Sequence, residues 1–300
     1  MSISTATLDP TAALQAMAAG ATRGYWRSVA RRLGRDPVTL TCAGVLLLII
    51  LAAIFAPWVM PLDPYKTSML RRLQPLGSRP YWLGTDELGR DMLTRLIYGG
   101  RLSLSMGVAP VVMAFLIGGF FGIAAGFIGG KTNMLIMRVM DVFYAFPSVL
   151  LAISLSGAMG AGIENTLISL TIVFIPPICR VSESVTTQVR GFDFVDAARA
   201  SGASALTIVR VHVLGNVLGP ILVYATSLIS VSIILSAGLS FLGLGVKPPE
   251  PEWGLMLNTL RQAIYVNPVL AALPGVMIFI TSICFNLMSD GIRAAMDIKA

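Results

Sequence analysis

Residues 196–216 read DAARASGASALTIVRVHVLGN and separate two strongly apolar stretches of the chain. Residues 164–181 form the apolar run before this segment, and residues 214–246 form the run after it. The segment mixes charges with small residues and contains Gly202, a residue type that commonly ends a helix. If both runs cross a membrane, this segment is a loop outside the bilayer.

The composition predicts an all-α, polytopic membrane protein. Of the 300 residues, 55% are hydrophobic and 12% are charged, and the mean hydropathy is +0.79. Soluble domains contain about twice this share of charged residues. The formal net charge is +7, but the basic residues lie scattered between apolar runs without interleaved aromatic side chains, which argues against nucleic acid as a partner.

Six apolar runs have, or approach, the roughly 20 residues that a helix needs to cross a bilayer. The fourth contains Pro176 and Pro177 and is the most liable to break, since neighbouring helices would have to satisfy the freed carbonyl groups. An even number of spans places both termini on one side. The predicted spans are 38–60, 102–128, 142–162, 164–181, 214–246 and 268–289.

The basic residues predict cytoplasmic termini. Residues 23–35 carry five arginines around apolar positions at helical spacing, a pattern typical of a basic helix on a membrane surface. With this cluster inside, 13 of the 22 basic residues are cytoplasmic and nine are outside. The chain then divides into a tail with this helix (1–37), a first span with an outer loop (38–101) and a transmembrane domain (102–300) with a cytoplasmic loop at 182–213.

The interiors of the six runs contain no Asp, Glu, Lys or Arg. Ion-coupled carriers and intramembrane enzymes place ionisable groups at membrane depth. The energy for any transport is therefore expected from a partner protein. An ion-coupled secondary transporter is the alternative function.

The second run contains glycines at four-residue intervals, which form one smooth stripe on a helix and predict close helix packing. These glycines are Gly118, Gly122, Gly126 and Gly130. The following GFIGGKT resembles a phosphate-binding loop, but Ala125 stands where that motif requires glycine. A turn between two spans is the favoured interpretation.

Two stretches outside the membrane are predicted to be structural. LGTDELGRD, residues 83–91, indicates a turn with capping acids, because Ile97 stands where a calcium loop beginning at Asp86 would need glutamate. KPPEPEWG, residues 247–254, indicates a stiff outer loop whose Trp253 anchors at the membrane interface.

The chain lacks the residue sets of an enzyme. His212 is the only histidine, and the three cysteines lie far apart in apolar runs. No nucleophile motif or pair of carboxylates accompanies them, so we expect no catalytic residue, metal site or cofactor in this chain.

Residues 193–213 are predicted to form two short helices. Asp193 is the expected N-cap, with Asp196 in the first turn, and Gly202 ends the first helix. Ser204 then caps a second helix. A helix of about two turns is unstable alone in water, so another structure must hold it. The small residues Ala197, Ala198 and Ala200 suit insertion into a groove.

This segment resembles the cytoplasmic signature of membrane subunits in binding-protein-dependent ABC importers. That signature is Glu-Ala-Ala, three residues, glycine, nine residues and an apolar-x-Leu-Pro ending. Here Asp196 replaces glutamate and keeps the charge, whereas Gly215 replaces proline and loosens the start of the fifth span. The stretches LGTDELGRD, SFLGLGVKPPEPEWG (240–254) and FNLMSDGIRAAMD (285–297) further resemble the second permease subunit of dipeptide, oligopeptide and nickel importers.

The resemblance implies a type I ABC importer permease fold in the bacterial inner membrane. It implies, as partners, a homologous second permease, two cytoplasmic ATPase subunits that bind ATP and Mg, an extracytoplasmic substrate-binding protein and membrane lipid. Short peptides are the expected substrate, with nickel chelates as related solutes. The segment would be the coupling helix that sits in an ATPase groove. Its coupling residues would be Asp196, Ala197, Ala198, Arg199, Gly202, Ala203, His212 and Leu214.

Overall fold

The computed structural model describes residues 29–296 and is almost entirely helical there. Long helices follow from the apolar runs, because within a bilayer the backbone must form its hydrogen bonds inside its own segment. The β-structure of the described residues is limited to two isolated bridges. The helices are α1 Pro37–Ile54, α2 Ala56–Val59, α3 Met92–Ile128, α4 Gly130–Tyr144, α5 Ser148–Met159, α6 Ile163–Arg190, α7 Asp193–Ala200, α8 Ala205–Phe241, α9 Trp253–Thr259 and α10 Pro268–Met296, with short 3-10 turns at Met69–Arg71 and Arg261–Tyr265.

Five helices are long and apolar enough to cross a membrane, namely α1, α3, α6, α8 and α10. The mean hydropathy of their most apolar 18 residues lies between 1.4 and 2.5. A sixth crossing arises if α4 and α5 together form one span, although these helices meet at an angle of 83°. The all-α, polytopic architecture is therefore confirmed, with up to six crossings in the described residues.

The third predicted span, 142–162, is wrong as a continuous helix. Helix α4 ends at Tyr144, and α5 begins directly after Pro147. Because helical conformation is disfavoured for the residue before a proline, Phe146 favours a break at this point. Helix α5 has 12 residues and is about 18 Å long, which covers only part of a hydrocarbon core of about 30 Å.

The fourth predicted span is longer than expected and does not break. Helix α6 continues through the prolines at 176–177 and ends at Arg190. Arg180, which we placed at the cytoplasmic end of the span, therefore lies inside the helix, and residues 182–190 of the predicted loop form its last turns. Phe174, two residues before the prolines, is buried in the largest core cluster. Helix α6 therefore packs against its neighbours at this point.

Three of the four glycines of the predicted stripe, Gly118, Gly122 and Gly126, lie against α6. A Cβ atom at Gly122 would lie 2.3 Å from the carbonyl oxygen of Cys179. At the other two positions it would lie 2.7 Å from backbone oxygens of the same helix. Only glycine permits so close an approach of two backbones. Gly130 does not extend the stripe, because it begins α4 and nothing lies within 4 Å of a Cβ placed there.

Two buried arginines hold the loop before α3, and one of them, Arg95, joins it to the loop after α8. The Nε atoms of Arg90 and Arg95 lie 2.6 Å and 3.3 Å from the same carboxylate oxygen of Asp86. Arg95 also donates hydrogen bonds to the carbonyl oxygens of Pro64 (3.0 Å) and Pro249 (3.2 Å). Arg90 and Arg95 belong to the nine basic residues that oppose the predicted orientation. Because both are buried and paired within the protein, they do not act as free topology signals.

The prediction that Trp253 anchors at the membrane interface is wrong, because this side chain is fully buried. Its indole N–H donates to the carbonyl oxygen of Leu96 at 2.9 Å, and its ring packs over Gly99 and Gly100 of α3. The two glycines leave room for the ring, and a buried indole needs the acceptor that Leu96 provides. The preceding Glu252 is buried as well and caps α9 by accepting two backbone N–H bonds of 2.8 Å.

The acids of residues 83–91 cap turns, as predicted. Asp91 accepts a hydrogen bond from the backbone N–H of Thr94 at the start of α3, at 2.9 Å. Asp86 accepts from the backbone N–H of Arg90 at the same distance, in addition to its ion pairs. These bonds hold the N-terminal end of α3, which begins at Met92 rather than at the predicted residue 102.

The described chain begins with helical residues 29–33, whereas residues 23–28 of the predicted basic helix lie outside the described residues. Asp36 caps α1 by accepting hydrogen bonds from the backbone N–H groups of Val38 and Thr39, at 3.2 Å and 3.3 Å. Helix α1 packs on α3 and α10. The division of the chain at residues 37 and 101 stays a prediction.

Candidate functional site

The polar segment between α6 and α8 contains the short helix α7, Asp193–Ala200. We predicted Asp193 as its N-cap, but Phe192 holds that position without a side-chain hydrogen bond to the helix. Asp193 and Asp196 both lie in the first turn, where negative charge favours the exposed N–H groups of the helix start. At eight residues, α7 is about 12 Å long and too short to be stable without neighbours.

The helix ends at Gly202, as predicted, in a left-handed conformation with φ of +76°. The N–H of Gly202 bonds to the carbonyl oxygen of Arg199 at 3.0 Å, and that of Ala203 bonds to Ala198 at 3.1 Å. These two bonds form the Schellman arrangement, which satisfies the last carbonyl groups of a helix. Nothing lies within 4 Å of a Cβ placed at Gly202, so its backbone conformation alone favours glycine there.

The second predicted helix is continuous with the fifth span. Ser204 caps it by accepting from the N–H of Thr207 at 3.3 Å, and α8 then runs from Ala205 to Phe241. Residues 209–213 form a π-helical turn within it. Such turns often occur at functional positions in long helices. Residues 205–213 are therefore joined to the following span by continuous helix.

One face of the segment packs against the transmembrane bundle. Val195, Ile208 and Val213 are buried in the largest core cluster, and Ala198 and Ala203 are partly buried against it. Val195 and Ala198 are three residues apart and so share one face of α7. Ala198 therefore packs partly against the chain itself, and its contact with a partner's groove stays a prediction.

The segment also carries exposed apolar side chains that the sequence analysis missed. We call these side chains the apolar patch beside α7; it consists of Phe192, Phe194, Leu206 and Val211, which are 40–67% exposed. The rings of Phe192 and Phe194 lie 5.8 Å apart. Large apolar side chains placed together on a polar segment were the signal that could have revealed it.

The remaining predicted coupling residues lie around this patch. The ring of His212 is 6.2 Å from that of Phe194, and Leu214 is half-buried behind it. Asp196 and Ala197 are exposed. The Arg199 guanidinium lies 3.0 Å from the Asp196 carboxylate and over the ring of Phe127, 5.9 Å from its centroid. An exposed pair of this kind contributes little to stability, so these charges are available to a partner.

Among residues 29–296, no three His, Cys, Asp or Glu side chains are grouped to hold a metal ion. The cysteines at 42, 179 and 284 are buried and unpaired.

Two family models match the chain. The model for the binding-protein-dependent transport system inner membrane component matches residues 118–299. The model for the N-terminal TM domain of oligopeptide transport permease C matches residues 24–75. The first match covers more than half of the chain and includes α7 and the apolar patch beside it.

Curated relatives match over nearly the whole length. The chain is 39% identical over 277 residues to the glutathione transport system permease protein GsiD of Pectobacterium atrosepticum, covering 92% of each chain. It is 41% identical over 282 residues to the di/tripeptide transport system permease protein DppC of Pseudomonas aeruginosa, covering 92% of this chain and 91% of the relative. The fold is similar to that in inward-facing structures of the MetNI methionine ABC transporter, with a TM-score of 0.56, 20% identity and coverage of 68% of this chain and 97% of the matched chain.

Proposed function

Since this chain belongs to the binding-protein-dependent transport system inner membrane components and is a permease subunit of an ABC importer, we propose that it carries short peptides across the membrane. The names of two relatives, a glutathione permease and a di/tripeptide permease, support this substrate class. The family assigns energy supply to an ATPase, so the ion-coupled alternative is set aside.

The observation that carries the coupling role is the apolar patch beside α7. Four large apolar side chains are exposed on a segment that is otherwise polar. Fully burying such a side chain contributes about 1.5–3 kcal/mol, so a partner that covers the remaining exposed area of these four gains part of the free energy that docking requires. We propose that this partner is a cytoplasmic ATPase subunit.

The coupling residues are proposed to act in two groups. Asp196, Ala197 and Arg199 are exposed on α7 and would contact the ATPase directly. Ala198, Gly202, Ala203, His212 and Leu214 shape the segment or pack it against the bundle. Motion of a docked α7 would pass through the short turn at residues 201–204 into α8, which is continuous from Ala205 to Phe241 and so reaches the bundle without a further break.

The rest of the assembly is proposed from the family. The complex would contain a homologous second permease, two ATPase subunits and an extracytoplasmic substrate-binding protein. ATP and Mg would bind to the ATPase subunits and not to this chain. Both termini would lie in the cytoplasm of a bacterial inner-membrane protein, which the basic residues before α1 support.

Reconstitution in liposomes tests this function. The full complex with its binding protein is expected to import a dipeptide only when ATP is present on the ATPase side. The permease pair without ATPase subunits should not import, even under a proton or sodium gradient. Gradient-driven uptake without ATP, or ATP-driven uptake of sugars but not of peptides, would contradict the proposal.

A further inference from the structure

A cavity of about 380 Å³ lies at the bend between α4 and α5. Its size falls within the range of small-molecule sites, roughly 300–1,000 Å³. Side chains of the bend, of α6 and of α8 line it, and five of the thirteen lining residues are aromatic. Among them are Tyr144, Phe146, Phe174 and Tyr224.

A charged pair stands at the rim of this cavity. The Arg180 Nη2 atom of α6 lies 2.5 Å from the Asp141 Oδ1 atom of α4, and the guanidinium lies over the Tyr144 ring, 4.8 Å from its centroid. Asp141 is three residues before Tyr144, and Arg180 is three residues after Pro177, which also lines the cavity. Residues three apart on a helix share a face, so both charges lie about one turn from the lining residues.

The exposure of the pair indicates that it faces water or a passing ligand. The Arg180 and Asp141 side chains are 48% and 43% exposed. Charged side chains on helices that span a membrane rarely face lipid and commonly mark the pathway of a substrate.

We propose that Asp141, Arg180 and the aromatic cavity form a binding subsite for a peptide in transit. The inference rests on the proposed function, because a short peptide is a zwitterion with an apolar or polar side chain. Its carboxylate would pair with Arg180 and its ammonium with Asp141, while a side chain enters the cavity between the rings. The mutual ion pair closes the subsite again when the peptide leaves.

The test is transport by the reconstituted complex carrying Arg180→Gln or Asp141→Asn. Uptake of a dipeptide should fall about tenfold, since a charge-assisted hydrogen bond is lost. ATP hydrolysis stimulated by the loaded binding protein should stay within about twofold of wild type, so that fewer peptides enter per ATP. Lys131→Gln is the matched control, because Lys131 is an exposed charge on α4 ten residues before Asp141; it should leave both rates unchanged.

Substrate chemistry separates a peptide subsite from a structural ion pair. With binding protein saturated by each peptide, Arg180→Gln should reduce uptake of the free-carboxylate peptide about tenfold and that of its C-terminal amide much less. Equal losses for both peptides would overturn the proposal, as would wild-type uptake in both single variants.

Two further outcomes also overturn it. Recovery of the wild-type rate when Asp141→Arg is combined with Arg180→Asp would show that only mutual pairing matters. Failure of Arg180→Gln to assemble with the second permease would assign the pair to that interface. Absence of ATP-driven peptide uptake in the wild-type complex would instead contradict the proposed function and is thereby distinguished from failure of the subsite.

Discussion

The contact between α3 and α6 allows the effect of adding one methyl group to be worked out from the structure. A Cβ atom at Gly122 would lie 2.3 Å from the carbonyl oxygen of Cys179 and 2.5 Å from the Cβ atom of Ser182. Real Cβ contacts are not shorter than 3.0 Å, so Gly122→Ala must separate the helices locally by at least 0.7 Å. Both obstructing atoms belong to backbone or Cβ positions, which cannot rotate away.

The expected loss of stability for Gly122→Ala is about 2 kcal/mol. Overpacking typically costs about 1–3 kcal/mol, and a clash with rigid atoms on two residues belongs at the upper end. The higher helix propensity of alanine offsets about 1 kcal/mol of this destabilisation. The net change corresponds to a shift of about 30-fold in the unfolding equilibrium.

Unfolding of the purified chain in mixed micelles with increasing SDS, followed by tryptophan fluorescence, measures this change. Gly119→Ala is the matched control, because it lies on the same helix and nothing is within 4 Å of a Cβ placed there. The free energy of unfolding of Gly119→Ala should equal that of the wild type or exceed it by up to about 1 kcal/mol. The packing argument is refuted if Gly122→Ala unfolds at the same SDS concentration as Gly119→Ala.

Three other predictions concern the coupling segment, the topology and the outer loops. Gly202→Val should abolish transport but not membrane insertion, because a β-branched residue at φ of +76° is strained by about 1–2 kcal/mol or more. Asp196→Glu is the control and should transport normally. Equal uptake by both variants would argue against a coupling role. Cysteine at Ser78 should react with an impermeant thiol reagent from outside and cysteine at Ser204 should not, and the reverse labelling would invert the topology. Burial raises the pKa of Glu252 above its ordinary value of 4.5, so the folded state binds this proton more tightly than the unfolded state. The free energy of unfolding should therefore fall as pH rises from 4.5 through the raised pKa. Thermal unfolding measured across this range should show a melting temperature that changes less with pH in Glu252→Gln than in the wild type.

Part of this fold follows from interactions between near neighbours in the chain, and that part was predicted from the sequence. The number of apolar runs, the helix end at Gly202, the cap at Ser204 and the turn with capping acids each depend on residues within about four positions of one another. The same locality explains why the family resemblance was visible in short motifs. It also explains why the glycine stripe on α3 predicted a close helix contact without identifying α6 as the neighbour.

Only the tertiary structure decided which residues met across long stretches of sequence. The chain continues as a helix through the prolines at 176–177 but bends before Pro147, because α6 is packed between other helices whereas α4 and α5 are largely exposed. The inward face of Ala198 and the burial of Trp253 depend likewise on partners far away in the chain. The Asp141–Arg180 pair joins residues 39 positions apart. No pattern in either segment specifies that distance, since it is set by how the bent pair packs on α6.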